Sequence, residues 1–344
     1  MAGPVPGIRA RAGEQRRADP GAESRAQSEG TPDQRDGGRI GHCKKGGAHL
    51  QQSTEMKFQF IEDSRFEFPL EKLCKVMQVS RSGFYKWSQA LPSAQAQSKA
   101  DIQERIRFHF HDAQRRYGAP KLTVLLRREG YAISERTVSL YMAEMKLRAC
   151  VSSRFRVRTT DSDHDHPIAP NLLNQQFDVE KPNQVWVADI TYIPCREGRL
   201  YLASVMDLCT REIVGWTLAG HMKTGLVLDA LEKAYASKKP PAGLLHHSDR
   251  GSQYASEAYR SGLEQYGMTA SMSRRGNCYD NASMESFHSI LKKELVYCTR
   301  FLTRKQASQD IYRYIEFFYN RKRIHGSLGY LSPARFAAQF DVQA

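Results

Sequence analysis

The sequence reads Ser248-Asp249-Arg250-Gly251-Ser252-Gln253-Tyr254 and, further on, Asn281-Ala282-Ser283-Met284-Glu285, with 35 residues between Asp249 and Glu285. An earlier segment, Trp186-Val187-Ala188-Asp189, contributes a third acidic residue. The surrounding patterns predict that Asp189 lies on a strand, Asp249 on a loop and Glu285 on a helix. Carboxylates are the ligands that hard cations such as Mg²⁺ prefer, and three of them suit a two-metal site for phosphoryl transfer. These residues are the candidate catalytic and metal-binding groups.

The segments around the three acids alternate between strand and helix patterns. Three alternating apolar runs, separated by the turn signals Glu197-Gly198 and Thr210-Arg211, predict consecutive antiparallel strands. The full predicted order is strands at 185–193, 199–208 and 212–218, a helix at 224–236, a strand at 244–247, a helix at 256–266, a strand at 268–272 and a helix at 282–297. This order is typical of an α/β fold with an RNase H-like mixed sheet, which we expect over residues 183–344 as the catalytic core.

The last of these helices has an apolar face and a polar side. The apolar face carries Met284, Phe287, Leu291 and Leu295 at three- and four-residue steps. Glu285 lies at the edge of that face, because successive helical residues are about 100° apart. The polar residues on the side of Glu285 are Asn281, His288 and Lys292. We expect these three side chains to contact DNA beside the acidic site.

The chain before the sheet has the rhythm of short helices joined by turns. In residues 56–98, apolar positions from Leu70 to Met77 are followed by Ser80, a favourable N-cap for a second helix. In residues 99–150, Ser134 is the matching N-cap, and the helix after it directs Arg136 outward as a candidate DNA contact. Both segments predict helix-turn-helix units in an all-α region. A small helical hairpin that binds nothing remains the alternative.

Two further segments carry little apolar content. Residues 1–55 contain no Phe, Tyr or Trp, so we predict a disordered extension, with Met56 as a candidate natural start. Residues 151–182 predict a basic linker in which Arg154, Arg156 and Arg158 alternate. Alternating arginines in an extended segment suit a phosphate backbone, and a solvated linker is the equal alternative.

The overall charge favours an anionic partner. The formal net charge is +14 and the pI is near 9.5, and an excess of Lys and Arg attracts phosphate at long range. The seven cysteines are scattered without metal-ligand spacing, which predicts reduced thiols in a cytoplasmic protein. The sequence offers neither an apolar run of about 18 residues nor a secretory leader, so we expect no membrane association.

The last part of the chain predicts a further helix and a basic run. The helix spans Thr303 to Phe318 and is followed by Asn320-Arg321-Lys322-Arg323. Arg321, Lys322 and Arg323 are candidate phosphate contacts flanking the acidic site. A solvated helix terminus, where cations suit the helix dipole, is the alternative.

Together these motifs carry a family resemblance over about Met56 to Phe340. The segments that carry it are 185–192 (Val-Trp-Val-Ala-Asp-Ile-Thr-Tyr), 247–254 (His-Ser-Asp-Arg-Gly-Ser-Gln-Tyr), 281–288 (Asn-Ala-Ser-Met-Glu-Ser-Phe-His) and 319–325 (Tyr-Asn-Arg-Lys-Arg-Ile-His). They resemble the signatures of the DDE integrase core, and in particular the second-reading-frame (OrfB) transposase subunit of the IS-three (IS3) family of bacterial insertion sequences.

The resemblance implies the chemistry and the partners. Asp189, Asp249 and Glu285 match the metal-binding triad, which implies Mg²⁺ or Mn²⁺, with two ions when DNA is bound. Lys292 matches the basic residue that is expected to touch the element's terminal DNA. The implied partners are double-stranded DNA (the inverted-repeat ends and the target), an OrfA-type partner or fusion that supplies a leucine zipper, and further copies of the chain on DNA. Residues 1–55 lack the heptad repeat of such a zipper. The implied location is the bacterial cytoplasm, in association with the nucleoid.

The sequence therefore predicts a transposase subunit that cleaves insertion-sequence ends and transfers strands to target DNA. Two alternatives remain at this point. One is a nuclease of the same fold that only hydrolyses, and the other is a non-catalytic DNA-binding remnant or regulator.

Overall fold

The structure is a computed structural model that describes residues 53–90, 93–150, 167–275 and 277–341. The predictions for residues 1–52 and for Arg154, Arg156 and Arg158 lie outside these residues. By contacts the chain divides into two units, Met1–Leu91 and Pro92–Ala344, which are described separately. The finer predicted division into 56–98, 99–150, 151–182 and 183–344 stays a prediction.

In the first unit, three helices pack around a small apolar core. They are α1 (Thr54–Ser64), α2 (Leu70–Met77) and α3 (Arg81–Ser88). Ser53 caps α1, so the helix begins two residues before the predicted start of order at Met56. Ser80 caps α3 as predicted, accepting a 3.0 Å hydrogen bond from the Gly83 N–H. The core consists of Phe58, Ile61, Leu73, Cys74, Met77 and Phe84.

The second unit begins with α4 (Ala94–Asp112), α5 (Ala119–Arg128) and α6 (Glu135–Glu144). Helix α4 is one continuous element across the predicted boundary between residues 98 and 99. The Ser134 hydroxyl caps α6 as predicted and accepts a 3.1 Å bond from the Thr137 N–H. Ile106, Phe110, Leu122, Leu126 and Val138 are buried between these helices.

A mixed five-stranded sheet follows, which confirms the predicted α/β, RNase H-like architecture. The strands are β1 (Val185–Cys195), β2 (Gly198–Asp207), β3 (Ile213–Ala219), β4 (Leu245–Ser248) and β5 (Thr269–Met272). Their order in the sheet is β3-β2-β1-β4-β5. The first three strands are antiparallel, and β4 and β5 pair in parallel with the sheet. Strand β4 pairs with the first residues of β1 and ends at Ser248, whereas β1 continues to Cys195.

Helices cover both faces of this sheet. The helices are α7 (Thr224–Lys238), α8 (Ser252–Ala255), α9 (Glu257–Gln265), α10 (Ala282–Glu294), α11 (Arg304–Tyr312) and α12 (Pro333–Asp341). On one face, α7 approaches β3 so closely that a Cβ on Gly215 would lie 2.3 Å from the Ala230 carbonyl oxygen. On the other face, Met284, Phe287 and Leu291 of α10 are buried as the apolar stripe predicted.

The predicted C-terminal helix differs from the observed one. The helix predicted over Thr303–Phe318 is α11 followed by a π-helical segment, Arg313–Tyr319. Its end is tied to β3, because the Asn320 side chain exchanges two 3.0 Å hydrogen bonds with the Ile213 backbone.

The prediction of reduced thiols is wrong for Cys150 and Cys298, which form a disulfide across a sequence separation of 148 residues. Local patterns do not reveal a pairing over such a separation.

No helix within the described ranges combines the length and apolar character needed to cross a bilayer.

Candidate active site

Asp189 lies within β1, two residues beyond Val187, which pairs with His247 near the end of β4. Its side chain is 20% exposed, and its Oδ2 lies 3.3 Å from Nδ1 of His288. The other oxygen, Oδ1, accepts a 2.8 Å hydrogen bond from the Ile190 N–H. The strand and its neighbours thus hold the carboxylate in one orientation while leaving part of it open to solvent.

Asp249 follows β4 directly and is brought beside Asp189 by the strand pairing. The register of β1 and β4 pairs Val187 with His247, and each aspartate lies two residues beyond that pair along its own chain segment. Oδ1 of Asp249 accepts a 2.9 Å bond from the Gly251 N–H, which closes a tight turn. A Cβ at Gly251 would lie 3.1 Å from this same oxygen, so glycine suits the close approach.

Glu285 lies in the first turn of α10, and Asn281 fixes that turn to the sheet. The Asn281 Nδ2 donates a 3.0 Å hydrogen bond to the carbonyl of Ala188, the residue before Asp189. Glu285 is exposed at the surface. Neighbouring atoms partly desolvate its carboxyl, and this desolvation, followed by the charge of Asp189, raises its pKa. The helix therefore brings the third carboxylate into the electrostatic field of the first.

The donor set fits a hard divalent cation. In the described part of the chain, no three His, Cys, Asp or Glu side chains lie close enough to hold an ion by themselves. Mg²⁺ does not need such a cage, because it is commonly bound by one or two carboxylates together with waters and substrate phosphates. A second observation supports the fit: the Tyr254 hydroxyl is buried without a hydrogen-bond partner. Its pKa is raised by burial, then by Tyr259, and then by the charges of Asp189 and Asp249.

Lys292 lies on the same side of α10 as the carboxylates, as predicted. Its ammonium is half-buried and sits 5.0 Å from the centre of the Tyr192 ring. Burial lowers the pKa of this lysine, and the charge of Asp189 opposes that effect.

The structure corrects three of the predicted DNA contacts. His288 has a side chain that is 7% exposed and turned toward Asp189 and Ser204. Asn281 is buried against Ala188. Arg323 is buried in a bidentate pair with Glu294, whose carboxylate oxygens lie 2.8 and 3.0 Å from the guanidinium. None of these side chains is presented to DNA, because each is covered by a neighbouring element that the local pattern could not reveal.

The remaining basic candidates are at the surface. Arg321 is exposed and lies over the Phe317 ring, and Lys322 is exposed in an ion pair with Asp112. Arg136 is exposed on the first turn of α6. Arg321 and Lys322 are neighbours after the π-helical segment, with Lys322 engaged by Asp112, whereas Arg136 belongs to α6.

Asp280 is a site residue that the sequence patterns did not reveal. Its fully buried carboxylate accepts hydrogen bonds from Asn171, Gln175 and the Arg274 side chain, at 3.0, 2.8 and 2.8 Å respectively. The bonds from Arg274, and after them the bond from Gln175, lower the pKa of Asp280. They fasten the loop that precedes Asn281 and Glu285. Only its position beside Asn281 hinted at this role, because Asn171 and Gln175 lie 109 and 105 residues away.

Comparison with known proteins identifies two kinds of domain. The family profile described as "Integrase core domain" matches residues 179–278, and a second profile of the same description matches residues 266–333. A profile described as "HTH-like domain" matches residues 97–155.

Two curated relatives match along nearly their whole length. The "Insertion element IS600 uncharacterized 31 kDa protein" of Shigella sonnei is 45% identical over 272 residues, covering 79% of this chain and 100% of the relative. "Transposase InsF for insertion sequence IS3A" of Escherichia coli K12 is 39% identical over 283 residues, covering 82% of this chain and 98% of the relative.

Solved structures match more weakly. The magnesium complex of the HTLV-2 integrase catalytic core domain in its trimeric form is 16% identical, with a TM-score of 0.37, covering 46% of this chain and 97% of that one. The simian T-cell lymphotropic virus intasome in complex with PP2A regulatory subunit B56 gamma is 14% identical, with a TM-score of 0.41, covering 68% of this chain and 74% of that one.

Proposed function

The chain belongs to the IS3 family of insertion-sequence transposases, and from this premise we propose that Asp189, Asp249 and Glu285 form the site that cleaves the element's ends and joins them to target DNA. The family membership establishes transposition and DNA integration as the function. The proposal concerns which residues carry the chemistry and how they are held.

The strand register is the observation that supports the site most directly. Asp189 and Asp249 lie at equivalent positions beyond a paired point on two neighbouring parallel strands. The helix that carries the third acid is hydrogen-bonded at its start to Ala188, the residue before Asp189. A strand, a loop and a helix thus contribute one acid each near the point where β4 ends beside β1.

We assign the binding of Mg²⁺ or Mn²⁺ to these three carboxylates, with two ions when DNA is bound. The chemistry that such ions supply is activation of the attacking oxygen and neutralisation of charge on the leaving oxygen. The protein contributes orientation: the Ile190 N–H fixes Asp189, the Gly251 N–H fixes Asp249, and α10 carries Glu285. With water as the attacking group the site cleaves DNA, and with a 3′-hydroxyl group it joins strands.

DNA contacts beside the site are proposed for the basic residues that are not enclosed by the protein. Lys292 is next to the acids, and its ammonium suits the phosphate of the element's terminal nucleotides. Arg321, Lys322 and Arg136 are exposed and suit more distant phosphates. Such contacts position DNA without reading its sequence.

The first unit is proposed as a helix-turn-helix that reads the element's ends. The eight residues of α2 are followed by a three-residue turn that begins with Gln78 in the left-handed conformation, φ 55°, and then by α3. The exposed side of α3 carries Arg81, Ser82, Tyr85 and Lys86. Residues 81–90 contain no acidic side chain, so this face suits the major groove of DNA.

The partners and the place of action follow from the same proposal. Joining two ends requires that they be held together, so we propose a homo-oligomer on DNA. An OrfA-type protein, separate or fused, would supply the leucine zipper. Action on genomic DNA places the chain in the cytoplasm of a bacterial cell, in association with the nucleoid.

A strand-transfer assay tests the proposal. Full-length chain is incubated with labelled, pre-cleaved element ends that carry a 3′-hydroxyl and with a plasmid target, in Mg²⁺, with and without the zipper-bearing protein. We expect labelled ends covalently joined to the plasmid. Cleavage without joining would support the nuclease alternative, and specific binding without either product would support the non-catalytic regulator.

A further inference from the structure

His288 occupies a place that contact with DNA would not explain. Its Nδ1 lies 3.3 Å from Oδ2 of Asp189, and its Nε2 lies 3.0 Å from the hydroxyl of Ser204. The side chain is 7% exposed, and Ser204 is fully buried. The imidazole therefore directs both of its nitrogens at the sheet.

The backbone explains why these three residues meet. Asp189 and Ser204 are direct partners across the antiparallel β1–β2 pair, so their side chains emerge on the same face. His288 follows Glu285 by three residues on α10, and residues at this spacing lie on the same side of a helix. One imidazole thus joins the helix that carries Glu285 to the strand that carries Asp189.

The two partners favour one tautomer of the ring. Nδ1 faces the Asp189 carboxylate at 3.3 Å, and a nitrogen that carries a hydrogen suits an acceptor group there. In that tautomer Nε2 is an acceptor, and the Ser204 hydroxyl donates to it. Ser204 therefore sets the orientation in which the ring presents its Nδ1–H to Asp189.

We propose that His288 is a positioning residue for the acidic site: held by Ser204, it orients the Asp189 carboxylate and sets the spacing between Asp189 and Glu285. Oδ1 of Asp189 is already held by the Ile190 N–H, and Oδ2 faces the imidazole at 3.3 Å, so the protein contacts both oxygens. Each oxygen retains an acceptor position for a cation. The inference rests on the proposed function, because it assigns a role to the neighbour of a proposed metal ligand.

Two substitutions test the two ring nitrogens of His288 separately. In His288→Asn, the side-chain amide can take the place of Nδ1 and keep a donor toward Asp189. In His288→Gln, the amide reaches the place of Nε2, so the contact with Ser204 is kept and the donor toward Asp189 is lost. Ser204→Ala removes the group that holds the ring. Ser286→Ala, at an exposed position of α10, is the matched control.

The experiment measures Mn²⁺ binding to the full chain without DNA, by isothermal titration calorimetry, beside the melting temperature of each variant. Loss of a group that orients a metal ligand typically weakens affinity about 10–100-fold, which is the loss expected for His288→Gln. His288→Asn should bind close to wild type, Ser204→Ala should be intermediate, and Ser286→Ala should be unchanged. Affinity for element-end DNA in EDTA should be the same in all of them.

The outcomes distinguish this inference from the proposal on which it rests. Wild-type Mn²⁺ affinity in His288→Gln, with binding lost in Asp249→Asn, overturns the positioning role and leaves the acidic site standing. Mn²⁺ binding that Asp249→Asn leaves unchanged overturns both. Equal losses in the Asn and Gln variants, in proportion to lowered melting temperatures, would mean that the residue only packs. Weaker DNA binding in EDTA with unchanged Mn²⁺ affinity would make His288 a DNA contact instead.

Discussion

Replacing Arg323 by methionine should destabilise the second unit strongly, because the substitution leaves a buried carboxylate without its cation. The side chains of Arg323 and Glu294 are 7% and 10% exposed, and three of their nitrogen–oxygen distances are 2.8, 3.0 and 3.1 Å. In the variant, the Glu294 carboxylate loses its bonds from Arg323 and keeps the 2.8 Å hydrogen bond donated by the Tyr314 hydroxyl. Glu294 is the last residue of α10, so the damage falls on the helix that carries Glu285.

The expected magnitude follows from the burial of the pair. Breaking a buried ion pair by removing one partner costs about 3–5 kcal/mol, since the remaining charge stays in a poorly solvated place. For a unit of about 250 residues, each kcal/mol lowers the melting temperature by about 2–4 °C, which gives a loss of about 6–20 °C. Differential scanning calorimetry of the full chain measures this directly.

Two further variants make the test discriminating. Lys99→Met removes the cation from an exposed pair with Glu144, whose side chains are 42% and 48% exposed, and should leave the melting temperature unchanged because solvent screens the pair. Adding Glu294→Gln to Arg323→Met removes the stranded charge, so the double variant should melt above Arg323→Met alone. A shift in Arg323→Met no larger than in Lys99→Met would refute the reasoning.

Three other perturbations have defined outcomes. Gly215→Ala should destabilise the fold by about 1–3 kcal/mol in urea unfolding. The cause is overpacking, since the new methyl group would lie 2.3 Å from the Ala230 carbonyl oxygen. Lys292→Ala should weaken binding to element ends and reduce the slope of log affinity against log salt by about one, as measured by fluorescence anisotropy. His325→Asn should make the protein less sensitive to acid: burial, with the charge of Arg323 second, lowers the pKa of His325 to about 3. His325 binds a proton more readily in the unfolded chain than in the folded one, so wild type loses stability as pH falls below about 6.5. At pH 5 this histidine alone lowers the free energy of unfolding by about 2 kcal/mol.

Each of these has its own control or contrary result. Gly225 lies in the first turn of α7, and a Cβ added there would meet no atom within 4 Å, so Gly225→Ala should not destabilise; equal losses at Gly215 and Gly225 would contradict the packing explanation. An unchanged salt slope in Lys292→Ala would remove that residue from the phosphate contacts. Equal loss of stability between about pH 7 and pH 5 in His325→Asn and wild type would show that this histidine does not titrate with folding.

The strands, and the kind of element that carries each of the three acids, could be predicted because their signals are local. Alternation around Asp189, a short apolar run before Asp249 and the apolar stripe beside Glu285 each reflect the burial of one element. Other contacts join distant segments. Cys150 and Cys298 are 148 residues apart, and Asp280 is enclosed by Asn171 and Gln175, which lie 109 and 105 residues away. No local pattern encodes such contacts.

The basic residues also show that a local pattern cannot reveal contacts with distant segments. Arg321, Lys322 and Arg323 are consecutive and look alike in sequence, but only Arg323 meets a buried acid, Glu294, from another helix. The helical pattern placed His288 correctly on the side of Glu285, yet the strands that cover it determine that it faces Asp189 and not solvent. Helical spacing indicates a direction, and the neighbouring element decides what lies there.

The most direct test of the acidic site is Mg²⁺-dependent cleavage of labelled element ends by Asp249→Asn, compared with wild type and with Asp229→Asn, an exposed acid on α7. Asp249→Asn should bind the ends nearly as well as wild type but leave them uncut, whereas Asp229→Asn should cut them normally. Cleavage by Asp249→Asn at the wild-type rate would contradict the assignment of the site.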